Sequence, residues 1–241
     1  MPSRRVLLGA ALALPVGALM GCSSEAPTPT CGPFGELPTF ERAGGALLVS
    51  EASGRPGPMP MDPAFHDQLG AWFDHWAQLV AGPDQLWLWP PMETDECTWA
   101  GAGRSVALTR IRQGREVLLD LRNAPADPPF WRFIASLNRF FSGVDTTESG
   151  RVVLDNQWPV EGPEGQTVGP FTTFQQENPH QVRSLQGILA SIHGQDVAID
   201  GQWNSRTRDA TREVLAASDL PARLTRPQAW QGLLDAAEQP E

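Results

Sequence analysis

Apolar positions recur at three- and four-residue spacing in two stretches of the first two thirds of the chain. In "AFHDQLGAWFDHWAQLV" the residues Phe65, Leu69, Trp72, Trp76 and Leu79 fall on one face, which predicts an amphipathic helix. Pro63 stands near its start and Gly82-Pro83 ends it. A second helix is predicted over Phe130–Phe141 ("FWRFIASLNRFF"). Short apolar runs at Ala46–Ser50, Ser105–Ile111, Glu116–Leu121 and Arg151–Leu154 read as strands. Trp158–Pro170 has no periodicity and is rich in proline and glycine, the composition of a linker. Beyond it Val182, Leu185, Ile188, Leu189 and Ile192 mark a helix, and Asp200-Gly201 mark a turn. Thr207, Ala210, Val214 and Leu215 mark another helix, with Asn204 or Ser205 as its N-cap. Pro227–Ala237 forms a third, with proline in its first turn. The pattern predicts an α+β domain over 38–158, a linker over 159–178 and a small all-α three-helix bundle over 179–237.

The first residues follow a different logic. Arg4-Arg5 precede an uncharged apolar run from Val6 to Met20, too short for the roughly 20 residues of a membrane span and typical of an export signal. The paired arginines fit Sec and twin-arginine signals alike. Leu19-Met20-Gly21-Cys22 resembles a bacterial lipobox, which implies a signal peptide of residues 1–21, lipid on Cys22 and an anchor on the outer face of the cell membrane. Multiple acyl chains hold such an anchor, each buried methylene contributing about 0.8 kcal/mol. Residues 22–37 then serve as a tether, polar and Pro/Thr-rich from Ser23 to Pro33. Export also means an oxidising compartment, where Cys31 and Cys97 either pair or stay as free thiols.

Charge narrows the partners. Loss of Arg4 and Arg5 with the signal takes the 18 basic residues to 16 against 28 acidic ones, and the net charge from −10 to −12. Nucleic acid, whose phosphates demand a basic surface, is excluded as a partner. Neither a phosphate-binding glycine loop nor a G-x-S-x-G elbow nor a Cys/His metal spacing is present, and no cofactor is expected.

The stretch "VRSLQGILASIHGQDVAIDGQWNSRTRDATREVL" resembles the three-helix peptidoglycan-binding domain of bacterial cell-wall proteins. The resemblance rests on Val182, Leu185, Gln186 and Leu189, the Asp200-Gly201 turn, Trp203, Thr207 and Ala210, with Leu220, Trp230 and Leu233 in the closing segment. The family's second glycine is Asn204 here, and its Phe-Gln at the end of helix two is Leu215-Ala216. The resemblance implies peptidoglycan as partner, with Asp200, Gly201, Gln202, Trp203 and Asn204 as candidate glycan- or peptide-binding residues. Trp203 offers a flat apolar face, unless it only plugs the core.

The region before the linker resembles the extensin-like relatives of the D-alanyl-D-alanine carboxypeptidases, a group of zinc peptidases. Trp72 and Trp76, Trp87-Leu88-Trp89, Cys97 and "TWAGAGRSVAL" carry the resemblance, with Asp155-Asn156 further on. Overlaying S-x-H-x-x-G-R-A-x-D-L puts Thr98 on the serine, Gly103-Arg104 on Gly-Arg and Ser105 on the alanine, with Leu108 on the leucine. The zinc histidine then falls on Ala100 and the zinc aspartate on Ala107; in the later H-x-H motif Arg151 and Val153 replace the histidines. Catalytic zinc needs about three protein ligands plus a water, and alanine and valine supply none. His66 and His75 stand about 180° apart around one helix, and His180 and His193 belong to the later bundle. Asp74-His75 and Asp95-Glu96 read as surface before they read as acid/base pairs. The expectation is a lipoprotein with a metal-free, inactive peptidase frame and a wall-binding module. The alternatives are an active zinc peptidase or amidase with other ligands, and a scaffold for an envelope protein partner.

Overall fold

A computed structural model describes residues 37–80, 82–89, 101–123, 127–147, 150–156 and 172–239. Cys22, Cys31, Cys97, Ala100, Asp95 and Glu96 lie outside the described residues, as does most of the linker. No helix among the described residues is long and apolar enough to cross a membrane.

The architecture is α+β. In chain order the sheet-forming part contributes β1 (Thr39–Phe40), β2 (Arg42–Ala43), β3 (Ala46–Ser50), β4 (Arg55–Pro56), β5 (Met59–Pro60), α1 (Pro63–Leu79), β6 (Gln85–Trp89), β7 (Ser105–Gln113), β8 (Glu116–Asp120), α2 (Pro128–Phe140), β9 (Gly143–Asp145) and β10 (Val152–Asp155). Three further helices follow: α3 (Pro179–Ser191), α4 (Ser205–Ala217) and α5 (Pro227–Glu238). Strands run in the order β2-β3-β6-β7-β10-β9, with β4 on β3 and β8 on β7, while β1 and β5 form a separate pair. Every pairing is antiparallel except β3 with β6, which α1 connects as the crossover helix that a parallel pair requires. The strand β6 was not legible as periodicity, because "QLWLW" is apolar on both faces.

Each helix starts where its sequence stops the preceding chain. Asp62, Asp127 and Asn178 accept backbone N–H bonds at the N-termini of α1, α2 and α3, each followed by proline in the first turn. Asn204, rather than Ser205, caps α4.

One face of the sheet packs on α1 and α2 through Leu48, Leu86, Leu88, Val106, Leu108, Ile111, Val144, Val152 and Leu154. Trp72 is fully buried there and edges against Phe133 and Phe141; its indole N–H donates to Ser136 Oγ at 3.1 Å. The helix α2 is buried nearly all round. Ile134, Leu137 and Phe140 face the sheet, whereas Ala135 belongs to the core of α3–α5. A helix apolar on every side sits inside a protein, and α2 is the element the two cores share. Gly187 of α3 lies so close to Trp131 of α2 that a Cβ there would overlap the indole. The end of the linker joins this contact: Thr172 Oγ1 donates to Asn138 O and accepts from the Trp230 indole N–H, and Asn178 Nδ2 donates to Ser142 O. At the far end Glu238 of α5 meets His75 of α1 at 2.8 Å and Arg139 of α2 at 3.5 Å.

Candidate functional site

Two places in this fold gather the residues that the sequence singles out. The first is a row across β7, β10 and β9. Ala107 and Val153 are direct cross-strand partners, and Val153 also stands opposite Asp145. Paired residues share a face, with Cβ atoms about 4.5–5.5 Å apart. Their neighbours Val106, Leu108, Val152 and Leu154 point into the core, so the row lies on the opposite side of the sheet. Two positions far apart in sequence, both taken from the zinc-peptidase pattern, are thus adjacent in space. Neither side chain carries an electron pair for a metal.

Asp145 is the acidic member of the row, and it is already engaged. Its carboxylate accepts from Thr147 N at 2.7 Å and lies 3.4 Å from His180 Nδ1. The hydrogen bond from His180 holds the Asp145 carboxyl well below the usual carboxylate range, against the opposing effect of burial. The same bond raises the His180 imidazole above its ordinary value. Sequence order assigns His180 to the helical bundle, and from the first turn of α3 it reaches Asp145 on the sheet. His66 lies apart from this row, stacked on Phe40 at 3.7 Å with its Nε2 2.8 Å from Arg42 O. His75 is committed to Glu238, and Asp74 accepts from Gly45 N at 2.8 Å. Among the described residues, no group of three or more His, Cys, Asp and Glu is placed to hold a metal ion.

The Gly-Arg of the same loop has a local structural role. Gly103 adopts φ +71°, and a Cβ on it would stand 2.7 Å from Asp62 N. Asp62 N donates to Gly103 O at 2.9 Å, and Arg104 reaches Asp62 Oδ2 at 3.4 Å. The loop is therefore pinned to the N-cap of α1. Asp155 plays a similar part: it is buried, and its carboxylate fills the space over Gly143 that any side chain there would need.

The second place is a groove on the helical bundle. Four of the five candidate residues before α4 build the turn. Gln186 Oε1 accepts from Asp200 N and Gly201 N, while its Nε2 donates to Asp200 Oδ1, Gln202 O and Thr207 Oγ1. Gly201 takes φ +76° beside Pro179 O, and Asn204 Oδ1 accepts from Thr207 N at 3.0 Å. The bond from Gln202 N, and next that from Gln186, hold the Asp200 carboxyl below its ordinary range.

The fifth, Trp203, packs against the edge of the bundle core. Its ring is half-buried, 5.3 Å from Phe174, which in turn lies 5.2 Å from Trp230. Trp203, Phe174 and Leu224 give a pocket of about 170 Å³ its apolar part, and Gln176, Arg208, Thr211, Arg212 and the rest of the loop from Ala222 to Thr225 close it. Phe174, Arg208, Arg212 and Arg223 escaped the sequence reading. The one available signal was the spacing of Arg208 and Arg212, four apart and hence on one helix face. Comparison with family models, with curated proteins and with solved structures returns no match.

Proposed function

We propose that this chain is a membrane-anchored lipoprotein of the cell envelope that holds peptidoglycan through its C-terminal helices. In this reading an inactive, zinc-peptidase-like frame precedes a wall-binding module, and Cys22 carries the lipid. The observation that carries it is the groove beside Trp203. Of the five candidate binding residues, Trp203 is the one committed neither to the turn nor to the cap, and it lines an open concavity. Concave sites with an apolar wall and a few convergent polar groups are where small ligands bind. The metal-free frame is supported by the side-by-side placement of Ala107 and Val153, where the resemblance calls for zinc ligands.

The test has two arms. A Cys22→Ser chain is expected in the soluble fraction, whereas the parent stays with membranes; equal retention of both would remove the anchor from the reading. The soluble chain is expected to pellet with purified, protein-free sacculi, and Trp203→Ala to lose that property while keeping a cooperative thermal transition. Failure of the intact chain to pellet at any salt concentration would reduce the module to a scaffold.

A further inference from the structure

The electrostatics of the groove are at odds with those of the chain. The protein carries a net charge of −10, yet the pocket lining contains Arg208, Arg212 and Arg223 and no acidic residue. Nor are these guanidiniums consumed by neighbours. Arg208 and Arg212 share the single carboxylate of Asp209, at 3.7 and 3.4 Å, and all three groups are largely exposed. Arg223 makes no ion pair among the described residues. Three cations and one shared anion leave the rim positive on an acidic molecule. Beneath them the floor is apolar: Phe174 is 4% exposed and Leu224 6%.

This lining suits one kind of ligand end better than another. A sugar ring stacks on an exposed flat aromatic face and is held by neutral hydrogen-bonding groups. Here Trp203 is half-buried and leans at 53° against Phe174, and no neutral amide but that of Gln176 stands beside it in the lining. The planar guanidinium, in contrast, matches a carboxylate in a two-pronged bond. The volume, about 170 Å³, falls below the roughly 300 Å³ at which pockets for drug-sized ligands begin.

We propose that the groove takes the free α-carboxylate of a short peptide, held by Arg212 and Arg223, with the small side chain next to it seated on Trp203 and Phe174. Placing that peptide in the cell wall rests on the wall-binding reading above; the carboxylate specificity does not. Each such contact is weak because it is exposed to water and screened by salt. A wall bearing many copies of the same end, met by many anchored chains, compensates through effective concentration.

The experiment uses the full mature chain made soluble by Cys22→Ser. It is pelleted with native sacculi and with sacculi whose carboxylates have been converted to methylamides. It is also titrated calorimetrically with N-acetyl-alanyl-alanine in either chirality, with the C-terminal amide of each, and with N-acetylglucosamine oligomers. Expected are at least tenfold weaker pelleting on amidated sacculi and heat from the free acid but not from the amide or the sugar. Arg212→Gln and Arg223→Gln should each weaken binding several-fold at an unchanged melting temperature, and salt should weaken the parent more than either variant. Equal pelleting on native and amidated sacculi overturns the carboxylate proposal and leaves wall binding standing. Arginine-dependent binding of the free acid without pelleting on native sacculi upholds the proposal and overturns the wall-binding reading. Binding of neither removes both.

Discussion

Gly187 offers a test of the packing that the site depends on, because two effects of opposite sign meet there. It sits in the middle of α3, where alanine is favoured over glycine by about 1 kcal/mol. On an exposed helix, Gly→Ala would stabilise by about that amount. At this position the added methyl overlaps the indole of Trp131, which is 2% exposed and flanked by Phe130 at 5.1 Å. Forcing a methyl into a packed core costs about 1–3 kcal/mol. The net expectation for Gly187→Ala is a loss of about 0–2 kcal/mol. In a Trp131→Leu background the obstruction is gone, and the same substitution should become neutral or stabilising by up to about 1 kcal/mol. The double-mutant cycle therefore carries a coupling of about 1–3 kcal/mol. Urea unfolding of the soluble chain at 25 °C, followed by circular dichroism and by tryptophan fluorescence, measures it. Coincident transitions from the two signals would mark one cooperative unit. Gly187→Ala stabilising both backgrounds by the same 1 kcal/mol would refute the contact between α2 and α3, and with it the shared core.

Two further outcomes follow from the row on the sheet. The Asp145–His180 pair should make stability depend on pH in a window with two edges. Asp145, whose carboxyl is held down by His180, contributes above its unfolded value near 3.9 and loses that contribution as pH falls through its lower folded value. His180, raised by Asp145, contributes fully below its unfolded value near 6.5 and loses it as pH rises through the higher folded value. His180→Gln should thus cost most stability between about pH 4 and 6.5 and progressively less at alkaline pH; a cost independent of pH from 5 to 9 would remove the ion pair. At Ala107 and Val153 the cross-strand pairing itself is testable. Zinc in the purified mature protein should be well below one equivalent by elemental analysis, and the double variant Ala107→His/Val153→His should gain a melting-temperature rise with added Ni²⁺ or Zn²⁺ that neither single variant shows. A rise with the double variant no larger than with the singles would place the two positions apart.

How much of this was legible in the chain depends on the kind of pattern each element leaves. The helices α1 and α3–α5 show a polar and an apolar side, so their spacing locates them, and Pro63, Pro179 and Pro227 mark their starts. The short strands β1, β2, β4, β5 and β9 leave no trace, since two or three residues hold no period. Among the site residues, Trp203 was visible as an aromatic beside a turn. The arginines were not, because an exposed arginine in a helix is ordinarily a solvated face, and only the fold brings Arg223 and Phe174 to Arg208 and Arg212. The partner of His180 was not legible for the same reason: it is on a strand thirty-five residues earlier.

The shared helix gives a physical reason why the bundle needs the sheet-forming part beside it. Three short helices spanning some sixty residues make a marginal core by themselves. Here α3 and α5 close much of their apolar surface on α2, and the Trp230 indole N–H finds its acceptor on Thr172, ahead of the bundle. A unit cut at residue 179 would lose α2, the acceptor on Thr172 and Phe174, the residue against which Trp203 rests and the floor of the groove. The helix α2 in turn holds its place because Ile134, Leu137 and Phe140 are buried against the sheet and α1. Ala107 and Val153, on the far face of that sheet, take no part in these contacts: both sit in well-paired strands whose inward neighbours are apolar. The residues that stand on the far face and the packing on the near face are therefore independent. The second alone is what presentation of the groove requires.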